Sequence, residues 1–206
     1  MANKKFQKQY LLSKEQLIKN LDIFSNTNEK YKIFTDELLV YLTNNGLFDC
    51  PASTSLNLHN CFPGGLIDHV IRVCRFSTKI NELLSNTLKQ EVESIIKVVF
   101  LHSIGKVGLY EEQESKWHRD NLGSYYQYVT EDKVTMRIGE RSAYLAMKYG
   151  VKLTENQYQA VINSSKNLEE DLQAKYFSDP LTIILKHGVE LSIIEEQQIF
   201  KDFNKE

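Results

Sequence analysis

The chain has 206 residues and a formal net charge of −2, long enough for one domain with a proper core. A near-neutral balance with no basic tract beyond Lys4-Lys5 and Lys8 excludes a general attraction to nucleic-acid backbone or to anionic membrane. No stretch approaches the ~18 apolar residues of a membrane span, and the N-terminal residues carry no apolar signal core, so the expected location is the cytoplasm.

Three prolines and nine glycines favour helices joined by short connections. Ser13 with Gln16 forms a capping-box pattern that opens a helix through Leu17, Ile18, Leu21 and Phe24. Tyr31, Phe34, Leu38, Tyr41 and Leu42 continue helical spacing up to Asn45-Gly46. Residues 51–60 read as a loop. From Gly65 the spacing Leu66, Val70, Val73, Ser77, Ile80, Leu84 predicts a helix that carries His69. Glu91 to His102 is a helix whose second half is almost wholly apolar, which marks it as the central one.

Residues 123–135 break the pattern: Tyr125 to Val129 and Val134-Thr135 flank Glu131-Asp132-Lys133, which suits a small β-hairpin. Gly139 to Tyr149 is helical again. Thr154 with Gln157 makes a second capping box, and Asp179-Pro180 opens a helix from Leu181 to His187. An amphipathic helix is expected from Val189 to Phe203. The expected fold is all-α: one helical domain with a small inserted β-hairpin, in which residues 1–50 pack as N-terminal helices on a core formed by 51–206.

Two segments carry chemistry. One is His59-Asn60-Cys61-Phe62-Pro63-Gly64-Gly65-Leu66-Ile67-Asp68-His69, and the other is the apolar run ending His102-Ser103-Ile104-Gly105-Lys106. Together they resemble the HD-domain superfamily of metal-dependent phosphohydrolases, in particular a bacterial and phage branch with an H-x-x-x-x-GGL-x-x-H entry followed by H-D-x-G-K. Later elements agree in order: the tyrosine-rich segment, Gly139-Glu140-Arg141-Ser142, Ala160 to Ser164, and Pro180-Leu181 through Val189.

The resemblance implies a helical fold and a one- or two-metal site that activates water and clamps phosphate. At the six positions that it equates with metal ligands, this chain has His69, His102, Ser103, Ile138, Ser164 and Val189. Two imidazoles fall short of the three protein ligands of a catalytic zinc site and suit magnesium or manganese poorly. The expectation is therefore no metal cofactor, with His69 and His102 as residual candidates; an active enzyme would use manganese or magnesium. A shift of register at the end of the match would bring in His187 or Glu190.

Other features of the pocket persist: Gly64 and Gly65 for close backbone approach, Lys106 after the glycine, and Arg141 with Ser142. Three readings follow. The first is a catalytically inactive HD-like domain, a pseudoenzyme, that binds a nucleotide or other phosphate-bearing ligand, or a protein partner, through Lys106, Arg141, His69, His102, Gly64 and Gly65. The second is a metal-dependent phosphohydrolase with a rebuilt site, in which His69, His102, Glu140 and His187 or Glu190 converge on one ion. The third is a structural, homodimeric protein whose old pocket is filled by side chains. The plainer alternative for the retained residues is that they serve the fold: glycines for packing and histidines hydrogen-bonded in the core.

Smaller signals have bland readings beside functional ones. His118 lies in a surface loop or contacts a ligand. Trp117, Tyr125, Tyr126 and Tyr128 cover a hairpin or stack on a base. Glu111-Glu112-Gln113-Glu114 is solvated surface. Cys50, Cys61 and Cys74 lack C-x-x-C spacing, so buried or idle thiols in a reducing compartment are expected rather than a zinc site.

Overall fold

A computed structural model describes residues 8–129, 136–164 and 179–205. In chain order the elements are α1 (Lys14–Tyr31), α2 (Asp36–Asn44), α3 (Gly65–Leu83), α4 (Val92–Leu101), a 3₁₀ turn (Ile104–Lys106), β1 (Tyr110–Glu112), α5 (Lys116–Leu122), β2 (Tyr126–Tyr128), α6 (Ile138–Lys148), α7 (Glu155–Asn163) and α8 (Pro180–Phe203). The all-α expectation holds, with a two-stranded antiparallel sheet as the small β insertion.

The capping residues act as their types dictate. The Ser13 hydroxyl accepts from Gln16 N at 3.2 Å, and the Thr154–Gln157 box closes in both directions. The second helix, expected from Tyr31, begins instead at Asp36, and Tyr31 ends the first. Lys32 turns into the left-handed region (φ 46°), Asn28 accepts the Phe34 amide at 3.0 Å, and Thr35 caps a new helix through Leu38 N. Side-chain capping by Asn and Thr overrides the apolar spacing there.

The apolar helix α4 is central, as its composition requires. Val98, Val99 and Leu101 are fully buried, and Phe100 stacks on Phe24 of α1 at 4.7 Å. Phe24, Leu38 and Leu42 join the same hydrophobic cluster as α3, α4, α6, α7 and α8, so the N-terminal helices share one core with the rest.

Tyr126–Tyr128 pairs with Tyr110–Glu112, with Tyr110 opposite Tyr128 and Glu112 opposite Tyr126. The partner expected for it, Val134-Thr135, lies outside the described residues. Glu111 and Glu112 are therefore strand residues, and the short helix α5 between the strands carries Trp117 and His118, with Trp117 exposed. At the C-terminal end, the two helices expected on either side of Gly188 are one, α8, of 24 residues. Gly188 stays inside it because α8 lies directly on α3: a Cβ there would meet Ser77 Oγ at 2.1 Å. Among the described residues no helix is long and apolar enough to cross a membrane.

A candidate ligand pocket floored by three histidines

A cavity of about 290 Å³ opens between α3, the end of α4, α6, α7 and α8. All six positions singled out in the sequence, His69, His102, Ser103, Ile138, Ser164 and Val189, line it, joined by His59, Lys106, Lys186, Glu190 and Ile193. Residues from five separate elements thus converge as their order in the chain suggested.

His69 is placed by the start of α3. Gly64 adopts φ 78°, which suits glycine, and a Cβ on Gly65 would sit 2.3 Å from Asn60 O. These glycines let residue 60 cross the first turn of the helix; neither lines the cavity. Asp68 is held there by Arg72 Nε at 2.8 Å, Asn20 Nδ2 at 2.9 Å and Asn60 Nδ2 at 2.9 Å. His102 caps α4, and α6 clamps the turn that follows. The Ser142 hydroxyl donates to His102 O at 3.1 Å and accepts from Gly105 N at 2.8 Å. Arg141 donates to the carbonyls of Gly105 and Val107 and to Tyr41 Oη. Arg141 and Ser142 therefore hold the His102–Lys106 turn from behind, and Arg141 stands outside the pocket lining.

The histidines form a row, with ring centroids 4.7 Å apart for His59–His69 and 5.6 Å for His69–His102. Each engages a partner through Nδ1. His102 Nδ1 lies 2.6 Å from Val99 O, a carbonyl that only accepts, so the proton is on Nδ1. His59 Nδ1 and His69 Nδ1 lie 2.8 and 2.9 Å from the two oxygens of Glu196 on α8. Burial pushes the imidazoles toward neutrality: His59 down to about 4, His102 down to about 3, and His69 well below its ordinary value. Burial raises the Glu196 carboxyl in turn.

Around this row the pocket is cationic and partly apolar. Lys106 donates to Ala52 O, and burial lowers its ammonium to about 8. Lys186 is buried within the wall, while Glu190 is half-exposed and pairs with His187. Ser103 Oγ is buried and makes no hydrogen bond among the described residues. Ile138, Val189 and Ile193 supply apolar surface.

The rebuilt set of His69, His102, Glu140 and His187 or Glu190 does not assemble. Glu140 is exposed and accepts from its own helix cap, Arg137 N, at 3.2 Å, and His187 is exposed. Among the described residues, one trio of metal-ligand type lies together: His59, His69 and Glu196, with one ligand atom of each within 4.8 Å of the others. Glu196 was missed in the sequence because it sits deep in a tail read only as amphipathic. Its signal was positional: Lys186, Val189, Ile193 and Glu196 fall on one helical stripe, and a carboxylate on an otherwise inward-facing stripe calls for a partner. The thiols of Cys50, Cys61 and Cys74 are unpaired, and Cys50 and Cys61 are buried. Comparison with protein-family models, with curated proteins and with solved structures finds no match to this chain.

Proposed function

We propose that the protein is a cytoplasmic HD-like binding domain that holds a phosphate-bearing small molecule, a mononucleotide or similar phosphomonoester, without hydrolysing it. The observation that carries this reading is the character of the one cavity all six aligned positions share. It offers Lys186, which is buried, Lys106, which is half-buried, and, where the resemblance would require a carboxylate, the Ser103 hydroxyl with no partner among the described residues. Cationic groups in a confined, partly dry pocket attract an anion strongly, because low local dielectric magnifies each contact. Ile138 and Val189 supply wall area for the apolar part of a ligand and leave no metal-ligating side chain at those positions. A volume of about 290 Å³ is near the lower end for small-molecule pockets, which favours a mononucleotide over a dinucleotide.

The test is calorimetric titration with nucleoside mono-, di- and triphosphates and with pyrophosphate, in buffer containing a chelator, followed by a phosphate-release assay with magnesium, manganese and zinc. Micromolar binding without turnover is expected. No binding by any of these phosphates, or steady phosphate release with any metal, overturns the reading.

A further inference from the structure

Glu196 poses a problem of charge balance. Its side chain is fully excluded from solvent, and its two oxygens each face an imidazole, His59 Nδ1 at 2.8 Å and His69 Nδ1 at 2.9 Å. A buried carboxylate is costly unless a cation or several donors offset it. The nearest guanidinium, that of Arg72, is already engaged by Asp68 and by Glu195 at 2.7 Å. Lys106 acts on Glu196 from a distance but donates to Ala52 O, so two nitrogen donors and a carboxylate lie within 4.8 Å of one another with no lysine or arginine in hydrogen-bond contact with that carboxylate among the described residues.

The cluster is also reachable. His59 and His69 line the ligand pocket, while His59 and Glu196 line a smaller cavity of about 10 Å³ on the other side, roughly the room one water or ion needs. His59 thereby separates two spaces and is partly exposed.

We propose that His59, His69 and Glu196 bind one divalent transition-metal ion of the zinc or cobalt type. Two imidazoles and a carboxylate are the donor set that such ions take with a fourth position left open, whereas magnesium and calcium prefer all-oxygen surroundings. The ion takes Nδ1 of both neutral imidazoles, each keeping its single proton on Nε2, together with the Glu196 carboxylate; only a proton held by Glu196 itself passes to the buffer. Its charge offsets that of Glu196. This set is not the one that the resemblance implies: His69 is common to both, but His59 and Glu196 replace the remaining positions. It also departs from the sequence expectation of no metal, because Glu196 was not among the residues weighed there. The proposal does not rest on the anion-binding reading, which is tested in chelator.

The experiment uses the full chain, stripped with chelator, and then titrated with zinc and with cobalt. Metal content is measured by mass spectrometry after removal of free ion, and cobalt binding by its visible absorption. The expected result is one ion per chain and little retention of magnesium. His59→Ala and Glu196→Gln should each weaken zinc binding at least tenfold, while His102→Ala retains it. Circular dichroism confirms that each variant is folded; should Glu196→Gln not fold, His59→Ala alone decides. Sub-stoichiometric zinc on the folded wild-type chain, or retention unchanged in folded His59→Ala, overturns the proposal. Loss of zinc in His102→Ala equal to that in His59→Ala overturns the assignment of ligands.

Discussion

Ser103 offers the sharpest test of the pocket, because its hydroxyl costs the fold something that a ligand could return. Ser103 is 2 % exposed, and its Oγ has no hydrogen-bond partner among the described residues. A buried polar group left unmade costs roughly 1–3 kcal/mol. Replacing it with alanine removes that penalty and leaves the Cβ packing in place, so Ser103→Ala should stabilise the free protein by about 1–2 kcal/mol. In a domain of this length each kcal/mol moves the melting midpoint by roughly 2–4 °C, which predicts a rise of about 2–8 °C. A hydrogen bond to a charged phosphate contributes about 1.5–3 kcal/mol, so the same substitution should weaken phosphate-ligand binding roughly tenfold or more. Thermal melts without ligand and calorimetry with it read the two effects separately. A lower melting temperature in Ser103→Ala, with affinity unchanged, refutes the argument, since it would mean that the hydroxyl serves the fold.

Other consequences concern the two basic residues singled out in the sequence, which the structure assigns to different tasks. Arg141→Ala strips donors from the Gly105 and Val107 carbonyls and should cost roughly 1–3 kcal/mol of stability, measured by urea unfolding. Lys106→Ala strips the donor from Ala52 O and should cost roughly 1 kcal/mol of stability, while weakening phosphate binding roughly tenfold or more, by about 1.5–3 kcal/mol. Wild-type affinity should fall as pH rises through about 8, where Lys106 loses its proton; calorimetry at pH 7 and 9 checks this. Acid should destabilise the fold. His59 at about 4 and His102 at about 3 stay unprotonated in the folded chain but protonate near 6.5 when unfolded. The unfolded state therefore binds more protons below 6.5, and stability falls by about 1.4 kcal/mol per pH unit for each histidine as pH drops toward 4. Glu196, raised by burial, takes up its proton earlier in the fold and offsets part of this loss. Urea midpoints at pH 7.5, 6 and 5 show the trend. Finally, Gly188→Ala should cost about 1–3 kcal/mol through its clash with Ser77 Oγ, and an unchanged melting temperature would show that α3 and α8 can separate.

What the sequence determined by itself was local. Ser13, Thr154 and Asp179 announced helix starts because a cap is satisfied within four residues of chain. The apolar run before His102 announced a central helix because burial follows composition when every face is apolar. The six pocket-lining positions were named by the resemblance to the HD family and not by spacing or periodicity. Where the reading went astray, a long-range contact decided. The pairing of Tyr110–Glu112 with Tyr126–Tyr128 was not foreseen, since strand pairing depends on what the fold brings alongside. Gly188 remained helical because α3 lies against it, which spacing within α8 cannot express. Arg141 turned away from the pocket because carbonyls 34 and 36 residues distant accept its hydrogen bonds. Above all, Glu196 and His59 stand 137 residues apart, and only the packing of α8 on α3 sets one carboxylate between two imidazoles. Charge balance in a buried site belongs to the tertiary structure, because the energy of each group depends on which others share its dry surroundings.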